Sequence, residues 1–305
     1  MLRIKISLIF VFFASVTACG TYNVFEDLEQ ENPQNLKQAA LLLEEGNPSK
    51  AKEVILSQIP QPAQLVLQTE SPNVETFEYS QELATSMVGV ESGGQILSMY
   101  AMAEAQTSNV NALNILVDIA QIDANLKSGA TLRLLDQASD DAAIATFGPA
   151  MPPRCYEDAI EINQSLDKAI AILIATSILA GFDTADIENK ARELRASLLK
   201  EDLFNAAIFS QVNVICPVLE FDRDKDKKIS AEEATEISDE RAEDLYNRIN
   251  EAINFVQAMV DKTPGNENLD KALSRMKSYL EKIDSLDDSL STGDKIRGFL
   301  VSQSQ

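Results

Sequence analysis

The sequence predicts an all-α protein, built of antiparallel helical hairpins stacked as a repeat-like array over residues 35–305. Three observations predict it. Apolar residues recur at helical spacing through most of the chain, as in Leu245, Ile249, Ile253, Val256 and Met259. Glycine and proline fall between these runs, where helices stop and restart. Strand signals are nearly absent.

The elements follow in order. Leu36 to Glu45 reads as a helix ended by Gly46-Asn47, and Pro48-Ser49 restarts one through Ala51, Val54, Ile55 and Ile59, closed by Pro60 and Pro62. This pair resembles a tetratricopeptide hairpin: Ala39, Gly46 and Ala51 occupy the small positions that let two helices approach, with Leu42 and Ile55 as packing residues. Asn35 and Leu42 stand where that family has aromatics, and an αα-hairpin of another lineage reads the same way. Residues 64–90 are mixed. Ser92-Gly93-Gly94 is a break, after which periodicity resumes at Ile96, Met99, Tyr100 and Met102, again over 110–122, and over 132–144. Prolines 149, 152 and 153 make a rigid break before Cys155.

Ala169 to Ala180 is the most apolar segment after the N-terminus, and a helix apolar on all sides belongs at the centre of a core. About 12 residues are too few to span a membrane. Gly181 ends it. Asp183 or Thr184 caps a helix from Ala185 to Leu199, and another runs from Asp202 to about Ile215, stopped by Pro217. Ser230 caps a long helix, with Glu233 completing a capping box. Thr263 to Asn266 is a turn, Leu269 to Ile283 is amphipathic, and a short helix spans Asp294 to Leu300.

The N-terminus carries a separate message. Arg3 and Lys5 precede an apolar run from Ile6 to Ala14, and Val16-Thr17-Ala18-Cys19 follows. The layout is that of an export signal, and its end resembles the bacterial lipobox. That resemblance implies cleavage after residue 18, acylation of Cys19, and a tether over 19–34. Each buried CH₂ of an acyl chain contributes about 0.8 kcal/mol, so two or more chains anchor stably. Gly20 after the cysteine resembles an outer-membrane address, facing the periplasm.

Composition bounds the function. The chain carries 48 acids against 26 bases, a net charge of −22. Loss of residues 1–18 removes two bases and no acid. A surface this acidic repels nucleic acid and anionic headgroups. Histidine is absent, which removes the commonest general base and metal ligand and excludes Ser-His-Asp, Cys-His and His-zinc chemistry. With Cys19 acylated, Cys155 and Cys216 remain as a pair in an oxidising compartment. A disulfide between them closes a loop worth roughly 4 kcal/mol in the chain-entropy model, and two buried free thiols are the alternative.

One segment carries chemistry. Asp222-Arg223-Asp224-Lys225-Asp226-Lys227-Lys228-Ile229-Ser230-Ala231-Glu232-Glu233 closely resembles an EF-hand loop, preceded by Phe221. The resemblance implies calcium ligands at Asp222, Asp224 and Asp226, the carbonyl of Lys228, Ser230, and Glu233 with both oxygens. Alternation turns successive carboxylates inward, and the following helix brings Glu233 from the other side. Two features depart from the pattern. Lys227 stands where a glycine turn is usual, a cost of about 1 kcal/mol, and Pro217 shortens or removes the incoming helix. The alternative is a solvated acidic turn with capping residues.

The expected function is non-enzymatic: a lipid-anchored envelope protein, stabilised by calcium and a disulfide, offering a helical surface to envelope proteins. The alternative is a transporter-associated carrier of a small apolar ligand, lined by the helices around Ile170 to Leu179.

Overall fold

The computed structural model describes residues 34–69, 77–110, 155, 159–224 and 229–304. The expected export signal, Cys19, nearly all of the expected tether, and the segments 111–154 and 225–228 lie outside them. The helices expected over 110–122 and 132–144 and the proline break before Cys155 fall there too.

The fold is all-α. Among the described residues there are twelve helices and no strand. They are α1 Gln34–Glu44, α2 Pro48–Leu56, α3 Gln61–Leu67, α4 Glu78–Ser86, α5 Gly93–Thr107, α6 Ala159–Leu179, α7 Ala191–Ser197, α8 Lys200–Phe221, α9 Ala231–Glu236, α10 Asp239–Lys262, α11 Glu267–Asp284 and α12 Thr292–Ser304. The chain divides into two compact units. Among the described residues, one takes 34–69, 77–110 and 163–209, the other 155, 159–162, 210–224 and 229–304.

In the unit with α1 to α5, the hairpin forms because Gly46 stops α1. At φ +72° it takes the left-handed turn that a side chain resists. Its N–H reaches the carbonyl of Leu43, and that of Asn47 reaches Leu42, the pairing that satisfies orphan carbonyls at a helix end. Pro48 then opens α2 in its first turn. Ala39 and Ala51 are fully buried, so the two helices meet through small side chains. Leu43, not Leu42, is the buried leucine, because it continues the Leu36, Ala39 stripe at helical spacing. The hairpin packs on α5.

Several expected boundaries move. Pro62 lies in the first turn of α3 rather than ending α2, since a proline there needs no N–H partner. The mixed stretch contains α3 and α4. Gly93 and Gly94 do not break the chain but begin α5, and a Cβ on Gly93 would sit 3.1 Å from Leu179 Cδ2, so the glycine lets α5 lie close to α6. The helix expected from Ala185 begins only at Ala191. Asp186 is left-handed at φ +60°. Asp183 accepts from the Ala185 N–H at 3.0 Å and from Lys190 Nζ at 2.9 Å, holding the segment as a loop.

The apolar segment is part of the longer helix α6, whose residues 169–175 are all buried. Both α6 and α8, at 21 and 22 residues, have the length and apolarity to cross a membrane. Most of that surface is already covered by protein, as in a core helix. Ser80 Oγ donates to the carbonyl of Ala171 at 2.8 Å, and Thr176 Oγ1 donates to Asp202 at 3.0 Å. These bonds satisfy polar groups that the core encloses.

In the other unit, α10 buries Leu245, Ile249, Ile253, Val256 and Met259 on one stripe and packs on α11 and α12, while α9 packs on α12. Tyr279 and Phe299 meet edge to face at 5.9 Å. Arg297 ties the start of α10 to α12, donating to the Ile237 carbonyl at 2.8 Å, Asp239 at 2.6 Å and Asp294 at 2.7 Å. Cys155 and Cys216 are joined as a disulfide within this unit, with Cα atoms 4.7 Å apart.

Burial, followed by the proximity of Tyr100 and Glu104, holds the Tyr79 phenol far above its ordinary pKa. Burial and Glu104 do the same for Tyr100. The folded chain therefore resists losing these protons while the unfolded chain releases them near pH 10. Their contribution is complete below about pH 10 and is lost as the pH rises beyond it. Urea unfolding at about pH 8 and about pH 11 should show a drop in stability that the double variant Tyr79→Phe, Tyr100→Phe reduces.

Candidate metal centre

The incoming helix is present. Instead of stopping at Pro217, α8 continues to Phe221 and delivers the chain directly to Asp222. Proline removes one N–H from the ladder, but residues beyond it still bury Phe221 and the covalent tie at Cys216 holds the turn before it. Phe221 packs beneath the Arg241 guanidinium, 5.0 Å from the ring centroid. Arg241 in turn grips Glu220 with both terminal nitrogens, at 3.1 and 2.5 Å. The start of the loop is thereby fastened to α10.

The loop brings three acids together. Asp222, Asp224 and Glu233 each offer a carboxylate oxygen, and these oxygens all lie within 4.8 Å of one another. Asp222 is buried, Asp224 is exposed and Glu233 lies between. Asp226, Lys227 and Lys228 lie outside the described residues, so the geometry of positions 5 to 7 does not enter. Ile229 is buried, as expected of the aliphatic residue that anchors such a loop.

Glu233 is the centre of the arrangement. Its Oε1 accepts from the backbone N–H of Arg223 at 2.9 Å and of Asp224 at 3.4 Å. Its Oε2 accepts from Ser230 N–H and Oγ–H, both at 2.9 Å. Ser230 Oγ also receives the Glu233 N–H at 3.1 Å, completing a capping box. One carboxylate thus joins the two ends of the loop. Partial burial works against its charge, but the bonds from Ser230, Arg223 and Asp224 outweigh that and hold the carboxyl below its ordinary range.

The capped helix is short. α9 ends at Glu236, Ile237 is extended, and Ser238 caps α10, accepting from the Arg241 N–H at 3.3 Å. The expected single long helix from Ser230 is therefore two. Two cap residues eight positions apart each begin a helix, and burial of Ile237 between them fixes the bend.

The arrangement collects hard oxygen donors beside a half-buried carboxylate, which suits a divalent cation of the calcium or magnesium class. The flanking pairs were not legible as part of it. Glu220–Arg241 bridges 21 residues and Arg223 pairs with Glu236 across the loop mouth. The loop acids and the i, i+3 spacing of Ser230 and Glu233 carried a local signal, whereas these pairs did not.

No family model, curated protein or solved structure matches the chain. Ser230→Ala removes the hydroxyl from both sides of the capping box. It should cost about 1 kcal/mol of stability, read by urea unfolding without added metal, whereas Ser238→Ala should leave the loop itself unchanged.

Proposed function

We propose that this chain is a non-enzymatic lipoprotein of a bacterial envelope, held by acyl chains on Cys19, whose helical body is a scaffold for other envelope proteins and is stabilised by calcium at Asp222 to Glu233. The observation that carries this reading is the convergence of Asp222, Asp224 and Glu233 at the end of α8. In the sequence these three stand at positions 1, 3 and 12 of a calcium loop. Asp226, the Lys228 carbonyl and Ser230 complete the donor set in this reading.

The reading assigns calcium a structural part. Without the ion, Glu233 already bridges both ends of the loop through hydrogen bonds. The ion would add the attraction of the aspartates to that clasp and offset their mutual repulsion. The loop is fastened to α10 by Arg241 and to the Cys155 disulfide through α8, so gripping it stabilises that unit as a whole. An exported protein meets calcium and an oxidising environment together, which suits both features.

Calorimetry on the purified chain should show one calcium site, lost in Asp222→Ala. At calcium a hundredfold above its dissociation constant, the unfolding free energy should rise by about 2.7 kcal/mol. Absence of calcium heat in the parent chain overturns the metal reading. Anchoring is checked separately: Cys19→Ser should move the protein from the membrane fraction to the soluble fraction, and membrane retention after that change overturns lipid attachment.

A further inference from the structure

A side chain of α10 holds the entry to the acidic loop. In a helix–loop–helix calcium site the entering and leaving helices hold the two ends of the loop. Here α9 leaves the loop with only six residues, fewer than two turns. The entering helix is gripped from α10 instead. Arg241 donates to both oxygens of Glu220, at 3.1 and 2.5 Å, and its guanidinium lies 5.0 Å from the Phe221 ring centroid. Glu220 and Phe221 are the last two residues of α8, and Asp222 follows directly. Phe221 and Asp222 are both buried, so the place of the first loop acid depends on how that last turn is held. Pro217 removes one N–H from the same stretch of helix, which leaves side-chain contacts to decide more of its register.

Arg241 also reaches the other end of the loop. Its backbone N–H donates to Ser238 Oγ at 3.3 Å, which fixes the start of α10. Its side chain lines a cavity of about 70 Å³ together with Glu220, Phe221 and Glu233. The guanidinium and the carboxylate that clasps the loop therefore border one small space. Charge and geometry act in opposite senses here. A positive group beside a calcium site opposes the ion. That charge is matched by the Glu220 carboxylate, and what Arg241 adds is a planar fork over a ring, which lysine does not reproduce.

We propose, on the calcium reading of the loop, that Arg241 is a positioning residue of the metal site. It donates no ligand, yet it sets the place of Asp222 relative to Glu233 and thereby the affinity for calcium. By linkage, calcium in turn tightens the joint between α8 and α10.

Calcium chloride is titrated by calorimetry into the purified full chain, Arg241→Lys, Arg241→Met and Met276→Ala, with urea unfolding of each in the absence of calcium. Arg241→Met should weaken calcium binding about tenfold or more, as loss of a group that orients metal ligands does. Arg241→Lys should weaken it by an intermediate amount, and it keeps the charge and the stem, so it carries the test if Arg241→Met does not fold. A role through charge alone predicts the reverse: Arg241→Met would tighten calcium binding, and Arg241→Lys would leave it unchanged. Met276→Ala removes a buried side chain of α11 in the same unit. It should lower stability without moving the calcium affinity. Tighter or unchanged binding in the Arg241 variants, or a loss in Met276→Ala as large as theirs, overturns the proposal and leaves the calcium site standing. No calcium heat in the parent chain overturns the calcium reading itself, and this role of Arg241 with it.

Discussion

Burial of the apolar stretch of α6 on every side is the constraint from which the unit around it follows. Residues 169–175 expose almost nothing. At roughly 25 cal/mol per Å² of apolar surface removed from water, each large side chain there contributes about 1.5–3 kcal/mol. A helix buried all round requires neighbours on several faces, and each must approach without leaving voids. Gly93 meets this need where α5 lies close to Leu179. Ala39 and Ala51 meet the same need one layer further out, where the first hairpin packs on α5. Ser80 and Thr176, both carried inward, are matched by the Ala171 carbonyl and Asp202.

The other unit is organised differently. Its helices are amphipathic, and α10 presents a single stripe to α11 and α12. What distinguishes it is how many of its corners are tied by ions and covalent bonds. Arg297 fixes α12 to the start of α10, Arg241 fixes the end of α8 to α10, and the disulfide fixes Cys155 to α8. The acidic loop sits among these ties. Its carboxylates are brought together by anchors on both sides, so the strain of gathering like charges is borne by packing and hydrogen bonds.

The pair of Lys52 and Glu104 shows how local packing acts against a background of like charge. The net charge of −22 describes the outer surface and the range over which it steers ions. Inside a partly buried region fewer water molecules stand between the groups, so a pair at 2.6 Å counts for more than that distant field.

The all-α class, the hairpin at Gly46, the stripe of α10 and the capping box at Ser230 were determined by sequence alone. Each rests on residues within four positions of one another, where helix geometry and backbone sterics act without help. The acids of the loop were legible for the same reason: a twelve-residue spacing encodes them. Tertiary structure decided the rest. Pro217 reads as a stop, yet α8 continues because burial of Cys216 before it and Phe221 beyond it outweighs one missing hydrogen bond. Ser230 and Ser238 both signal caps, but the break between their helices required Ile237 to find a buried place. Lys52 and Glu104 lie 52 positions apart with no shared motif. Their meeting is a product of helix packing, since long-range neighbours are set by which apolar faces close on one another, and no local pattern records that choice.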